Sequence, residues 1–442
     1  MARSRWHPVA VALLALLAAS CGARESSTEA DAGTDVPTSA PSQDDAGMVA
    51  VTVAVPGRSS SIGDASLAGS AVTGFAYDLF SAARSDAEGS NLTVSPMSVA
   101  VALSMVEPGA VDSARQQLQT VLGISDPEAF HAAMNALEQD LEARTPGRFG
   151  SDDDPGEITI GVANAAYLQQ GYPFESSYLE AIGSNYGPVL HEVDFPSDPD
   201  AVAREINDFV AQATNDQITD LVADGVIRPE TVLALVNALY LKASWLETFD
   251  PALTTDDTFT LLDGTNVTVP IMHGSSSSSA QGDGWIGATK SYVGNLQAEF
   301  ILPDEGRFDD VADDLAAVFR EFDQNRTAGA ALGLPKLETR TSIELTPTLR
   351  TLGLTAPFEN GGLLGVADDP RLVVDQVVHE TFVAMDEDGT EAAAATVVLV
   401  YATSGPPKPP VPVVLDRPYL YRIVDAATGA TLFIGQVLDP TA

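Results

Sequence analysis

The spacing of hydrophobic residues predicts helices mainly in the first part of the chain and strands mainly in the last part. Apolar residues recur at helical spacing in five segments, residues 99–106, 130–142, 178–182, 201–213 and 308–322. Strand-like runs cover residues 158–168, 232–241, 299–302, 372–385, 411–415, 419–424 and 431–436. Because helices and strands do not alternate regularly, as they do around a parallel sheet, the pattern favours an α+β fold.

The folded body is expected to span residues 67–442 as one domain. Helical spacing starts near Leu67 and continues through Val72, Phe75 and Leu79, and no later break indicates a second domain. Two stretches rich in serine, glycine and aspartate, residues 150–156 and 274–284, predict surface loops within it.

The N-terminal region has the pattern of an export signal followed by a tether. Arg3 and Arg5 precede a short apolar run, so residues 1–20 are expected to be a signal peptide. Residues 21–66 are polar or small and largely lack the apolar residues of a core, which predicts a disordered acidic tether. The single cysteine, Cys21, resembles the lipid-attachment cysteine of bacterial lipoproteins, although an ordinary signal peptide with a freely secreted product is the alternative. We expect an exported chain, lipid-anchored to the cell envelope or extracellular.

The charge of the chain limits its partners. Its 22 basic and 62 acidic residues give a net charge of -40, which repels phosphate backbones and sulfated polysaccharides. Nucleic acid and heparin are therefore not expected as partners, and a membrane is expected to be contacted only through the lipid anchor. We expect a monomer.

The sequence shows no signature of an enzyme. It has no Gly-x-Ser-x-Gly motif, and neither His191-Glu192 nor His379-Glu380 is followed by the second histidine of a zinc-protease helix. Five histidines and one cysteine provide few ligands for a transition metal. We therefore expect no catalytic residues, no metal and no cofactor; a secreted hydrolase would need a nucleophile and a base that the sequence does not show.

The segment 386–404 has properties of both a loop and a strand. It follows a strand-like run, contains four consecutive alanines and precedes a proline-rich stretch. At a period of two, Thr390, Ala392, Ala394 and Thr396 share one face, and all four are small enough to enter a packed sheet. The segment could be exposed in one state and a buried strand in another; a plain alanine-rich connector is the alternative that composition leaves open.

This segment resembles the reactive-loop hinge of the serpins, a family of serine protease inhibitors. The matching positions are Glu387, Gly389, Thr390, Glu391, Ala392, Ala393, Ala394, Ala395 and Thr396. Further serpin-like motifs occur in the same order over residues 67–439, at 91–98, 114–118, 236–240, 334–336, 417–419 and 433–435. The resemblance implies a serpin fold, with a large central, mostly antiparallel sheet, additional sheets, helices packed around them and an exposed reactive loop at about residues 387–412.

The resemblance also implies roles for residues outside the loop. Four polar residues match the family's shutter, the cluster beneath the central sheet that lets two strands part: Ser95, Ser98, Asn237 and His379. Hydroxyls, an amide and an imidazole can exchange hydrogen bonds as strands separate. Lys242 and Trp245 match the region where the loop first enters the sheet.

The function that the resemblance implies is inhibition of serine-type endopeptidases by a suicide-substrate mechanism, in which the cleaved loop inserts into the central sheet. The reactive bond is expected at Thr403-Ser404, with Ala402 and Tyr401 as alternatives. No arginine or lysine lies between Thr390 and Pro407, so elastase-, subtilisin- or chymotrypsin-like enzymes are expected as targets rather than trypsin-like ones. A non-inhibitory surface binding protein with the same fold is the alternative function.

Overall fold

The computed structural model describes residues 57–60, 63–87, 89–144, 147–151, 154–390 and 411–442. These residues form nine α-helices: α1 Ala65–Asp86, α2 Pro96–Val106, α3 Asp112–Val121, α4 Pro127–Glu142, α5 Ser176–Tyr186, α6 Pro199–Ala213, α7 Phe308–Asp313, α8 Leu315–Gln324 and α9 Thr346–Thr351. Within the described ranges, no helix is both long enough and apolar enough to cross a membrane.

The same ranges contain eighteen strands. They are β1 Leu92–Val94, β2 Gly147–Ser151, β3 Asp154–Gln169, β4 Val189–Val193, β5 Leu233–Ser244, β6 Thr255–Thr260, β7 Asn266–Ser275, β8 Ser278–Gly282, β9 Trp285–Ser291, β10 Leu296–Pro303, β11 Thr327–Ala328, β12 Ala331–Pro335, β13 Leu337–Glu344, β14 Val378–Met385, β15 Gly389–Thr390, β16 Val413–Val414, β17 Tyr419–Asp425 and β18 Thr431–Val437. The α+β class predicted from the sequence is confirmed.

The strands form several sheets. A seven-stranded sheet has the order β1-β18-β17-β10-β9-β8-β11, and a four-stranded sheet has the order β16-β12-β7-β6. The central sheet contains β15-β5-β3-β2, with β4 parallel to β3, and β13 and β14 form a separate antiparallel pair. β5 and β14 therefore belong to different sheets, and this separation determines the geometry of the candidate site.

Local signals in the sequence define where several helices begin. Asp64, Ser95, Asp126 and Asp198 each accept a backbone N–H with the side chain, as residues at helix N-caps do. Proline follows the cap in α2, α4 and α6, where its missing N–H costs no helical hydrogen bond. The Ser95 cap fixes the start of α2 beneath the central sheet.

Two periodic segments differ from their predicted structure. The helix predicted over residues 308–322 is two helices, α7 and α8, because Asp314 leaves helical geometry with φ -108° and ψ 28°. The strand predicted over residues 372–385 begins only at Val378, and residues 372–377 have no regular structure. Several of these residues line a cavity, so their apolar character reflects an apolar environment rather than strand pairing.

The two loop predictions were wrong for most of their length. In the first stretch, β2 and β3 form an antiparallel hairpin in which Gly150 pairs with Pro155. In the second, β8 pairs with β9, and Ala280 in its middle is buried. Backbone ladder hydrogen bonds do not require apolar side chains, so small polar residues form strands here despite their loop-like composition.

In the part of the chain that the structure describes, the core consists of one large hydrophobic cluster and a smaller one beside α6. Every residue of β17 and β18 is buried, including Arg422, which forms an ion pair with fully buried Glu299 at 2.6 Å. The smaller cluster joins α6 to the outer face of β3 and β5 through Ile206, Val236 and Ala238. The central sheet is therefore packed on both faces, so any strand that joins it must carry side chains that fit both.

Candidate functional site: the slot beside strand β5

A gap separates β5 from β14. Among the described residues, no ladder joins these two strands: β5 pairs with β3 and with the two residues of β15, and β14 pairs with β13. A cavity of about 670 Å³ lies between them, lined by residues of both strands, α2, α6 and the segment 372–377. We call this cavity the slot.

The chain turns at the end of β14 and returns toward the top of β5. The turn is held by Asp386, whose backbone N–H donates to the Gly389 carbonyl at 2.9 Å and whose carboxylate accepts the N–H groups of Asp388 and Gly389. Gly389 and Thr390 then pair antiparallel with Ser244 and Ala243. The predicted hinge therefore contributes two residues of strand beside β5.

Glycine is required at the first position of this pairing. Gly389 has φ 155°, and a Cβ atom there would lie 2.2 Å from the carbonyl oxygen of Ala243. Thr390 is 4% exposed, and its hydroxyl forms a 2.9 Å hydrogen bond with the hydroxyl of Tyr292. The hinge thus meets β5 at backbone contact distance, with a small side chain turned inward.

Trp245 lies directly below this contact. Its indole N–H donates to the Asp386 carbonyl at 2.9 Å, and its backbone N–H donates to the Asp388 carbonyl at 2.8 Å. The indole stacks on Tyr292 with ring centroids 4.0 Å apart. Lys242, the other residue predicted for this region, is half-buried on β5 opposite Thr159. Trp245 therefore buttresses the turn through which the hinge reaches β5.

Glu387 ties the same turn to a neighbouring sheet. Its carboxylate accepts hydrogen bonds from Lys336 Nζ at 2.7 Å and from the Thr254 hydroxyl at 2.7 Å. Burial alone would raise the pKa of Glu387, but these two bonds hold the pKa below its ordinary value. The carboxylate remains charged and anchors the turn through contacts separate from those of Trp245.

The predicted shutter residues are only partly brought together. The backbone N–H of Ser95 donates to His379 Nε2 at 3.0 Å, and the Ser95 hydroxyl caps α2 by accepting the Ser98 N–H. Asn237 instead donates to Asn164 Oδ1 on β3 at 2.7 Å. Ser98, Asn237 and His379 all line the slot. His379 therefore joins β14 to the start of α2, while Asn237 joins β5 to β3.

Some residues that contact the predicted site were not identified from the sequence. Tyr292 and Asn164 contact the predicted residues, but they come from distant segments that meet only in the folded chain. Other predicted residues lie outside the described residues: Cys21, Glu391, Ala392, Ala393, Ala394, Ala395, Thr396, Tyr401, Ala402, Thr403 and Ser404. Across the described ranges, no group of three or more potential metal ligands occurs.

We predict that acid weakens the native fold through His379. Burial lowers the pKa of His379 to about 4, whereas an unfolded histidine titrates near 6.5. The unfolded chain therefore takes up this proton first, and the free energy of unfolding falls by about 3 kcal/mol as the pH drops from about 7 to about 4. Urea midpoints across this range should fall less steeply for His379→Gln than for the parent chain; equal slopes would contradict the assignment.

Comparisons with known proteins place this geometry in a family. Alpha-1-antiproteinase of Rattus norvegicus is 32% identical over 382 residues, covering 83% of this chain and 88% of that protein. The native-state crystal structure of the thermophilic serpin tengpin superposes with a TM-score of 0.71 at 25% identity, over 86% of this chain and 96% of the other. Human thyroxine-binding globulin has the same fold, with a TM-score of 0.73 at 24% identity over 86% of this chain and all of the other.

A family model supports the same conclusion over most of the chain. The model for serpins, described as serine protease inhibitors, matches residues 70–440. The match includes both strands that border the slot and the turn that carries the hinge. The chain belongs to the serpin family.

Proposed function

We propose that the chain inhibits serine-type endopeptidases as a suicide substrate. The observation that carries the proposal is the pairing of Gly389 and Thr390 with the end of β5, while β5 and β14 share no ladder in the described residues and the slot lies between the beginnings of these two strands. These two residues make the first contacts of an inserting strand. Continued insertion would add ladder hydrogen bonds along β5 and β14.

The register of β15 indicates how the loop would enter. Each residue added to this antiparallel strand pairs one position further back along β5. In the inserted state that we propose, Ala392 lies opposite Leu241, Ala394 opposite Leu239 and Thr396 opposite Asn237. The inward face would then carry small side chains where the buried residues of β5 leave little room.

Cleavage is the step that releases the loop. The protease serine attacks the carbonyl of Thr403, the amine of Ser404 leaves, and the protease remains bound as an ester to Thr403. The fifteen residues from Gly389 to Thr403 span roughly 50 Å when extended, enough to carry the attached enzyme far from its starting position. The partner supplies the catalytic chemistry, and we assign no catalytic role to this chain.

The proposed targets follow from the residues beside the reactive bond. Tyr401, Ala402 and Thr403 suit elastase-, subtilisin- or chymotrypsin-like pockets, and the nearest preceding residues include no lysine or arginine. A non-inhibitory binding role remains the second candidate, because the similar fold of thyroxine-binding globulin belongs to a protein named for ligand binding.

We also propose that the mature chain is exported and carries a lipid on Cys21, with residues 1–20 removed and residues 21–66 serving largely as a tether. The arginines, the apolar run and the lone cysteine support this proposal. Labelling of the expressed chain with a radioactive fatty acid should be lost in Cys21→Ser. Equal labelling of parent and variant would place the lipid elsewhere, and absence of label from the parent would contradict the proposal.

The inhibitory mechanism predicts a specific effect of Thr390→Arg. An arginine cannot fit the space between Ala243 and Tyr292 that the buried threonine occupies, so the cleaved loop should fail to insert. The variant should be cut by subtilisin, elastase or chymotrypsin without forming the covalent complex that the parent forms on a denaturing gel. Thr390→Ser keeps the hydroxyl and a small side chain and should still form the complex.

Mass spectrometry of the cleaved chain locates the bond, which we expect at Thr403-Ser404. Trypsin is the matched control protease and should form no complex. Equal complex formation by Thr390→Arg and the parent would contradict insertion, and absence of a complex with every serine protease would favour the binding role.

A further inference from the structure

Arg58 is seated in a polar pocket between two helices. Its Nε donates to Asn135 Oδ1 at 2.8 Å, its Nη1 donates to Glu142 Oε1 at 2.8 Å, and its Nη2 donates to Glu138. The adjacent Ser59 donates its backbone N–H to the Ser184 carbonyl of α5 at 2.9 Å. The sequence placed this segment in the tether, but the structure ties it to α4 and α5.

The carboxylate of Glu138 is the innermost group of this pocket. Its side chain is 0% exposed, and burial raises the pKa of Glu138 to about 8 although the Arg58 guanidinium opposes the rise. A fully buried carboxylate that loses its cation is destabilised strongly and takes up a proton. The fraction of Glu138 that is ionised near neutral pH therefore depends on Arg58.

Glu138 is linked to the slot by two side-chain amides. Asn164 on β3 donates from Nδ2 to Glu138 Oε1 at 3.2 Å and to the Tyr186 carbonyl at 3.2 Å. Its Oδ1 accepts from Asn237 Nδ2 on β5 at 2.7 Å. The remaining atom, Asn237 Oδ1, is buried without a hydrogen-bond partner among the described residues, and Asn237 lines the slot.

These bonds form one chain, Arg58 to Glu138 to Asn164 to Asn237. It begins on the N-terminal segment, crosses α4 and ends on the strand beside the slot. It also anchors the β3–β5 pair to α4, so β5 cannot move away from β14 without straining it. Hydrogen bonds to a charged acceptor are stronger than those to a neutral one, so the anchor is strongest while Glu138 is ionised.

We propose that Arg58 is a positioning residue for loop insertion, which acts through Glu138 and Asn164 to hold β5 and so sets how readily the slot opens. This inference rests on the proposed inhibitory function. Under this proposal, the N-terminal segment influences the opening of the slot beside β5, to which it is linked through α4 and β3.

The test compares four variants of the full chain with the parent. Arg58→Ala should weaken the anchor and Arg58→Lys should weaken it less, because lysine keeps the charge but loses the forked contacts. Glu138→Gln removes the charged acceptor from the chain. Glu142→Gln is the matched control, because Glu142 binds the same guanidinium, whereas Asn164 donates to Glu138.

Two measurements report slot opening. Hydrogen–deuterium exchange of the peptide that covers residues 233–241 follows β5 directly and does not depend on inhibition of a target protease. The loss of complex-forming activity during storage of the uncut chain at 37 °C reports premature insertion. Both rates should rise about tenfold or more in Arg58→Ala, the scale set by losing hydrogen bonds to a charged group, and change by about twofold or less in Glu142→Gln.

A double-mutant cycle separates positioning from general stability. If Arg58 acts through Glu138, adding Arg58→Ala to Glu138→Gln should change the exchange rate little. An equal effect of Arg58→Ala in both backgrounds, or no effect in the parent, would overturn the proposal. Should the parent form no protease complex, the inhibitory function fails, while exchange of residues 233–241 still decides whether Arg58 holds β5.

Discussion

The separation of β5 from β14 is the constraint on which the other features of the site depend. Pairing of backbone donors and acceptors stabilises a sheet. The backbone groups that face a gap within a sheet do not contribute this stabilisation. The hinge makes the first two pairs beside β5 and stops within the described residues at Thr390. The native arrangement is therefore one in which further pairing remains available, and the proposed mechanism uses it only after cleavage.

The contacts around the slot hold the turn in place and tie the two bordering strands to different parts of the molecule. Trp245 and the Glu387–Lys336 pair hold the turn so that the hinge meets β5 in one register. His379 fastens β14 to α2, whereas Asn237 fastens β5 to β3, so the two borders of the slot are tied to different parts of the molecule. Two borders with separate anchors can part without unfolding either one, which is what strand insertion requires.

The sequence predicted the fold class and the family because both follow from patterns of residues along the chain, which can be identified without a structure. Gly389 and Thr390 were recognisable from the hinge motif, and the structure adds why each residue fits. Residues 372–377 were misassigned because apolar character reports burial and not strand pairing. Tyr292, Asn164 and Arg58 were missed because their importance comes from hydrogen bonds between segments far apart in the chain, which no local pattern encodes.

If cleavage lets the loop complete the sheet, the cut chain should be more stable to heat than the intact chain. The decisive measurement is to heat the chain before and after a single cut in the reactive loop and to compare the thermal midpoints. We expect the cut chain to have a midpoint well above that of the intact chain, because the inserted strand adds ladder hydrogen bonds and fills the slot. A midpoint that stays the same or falls after the cut would contradict it.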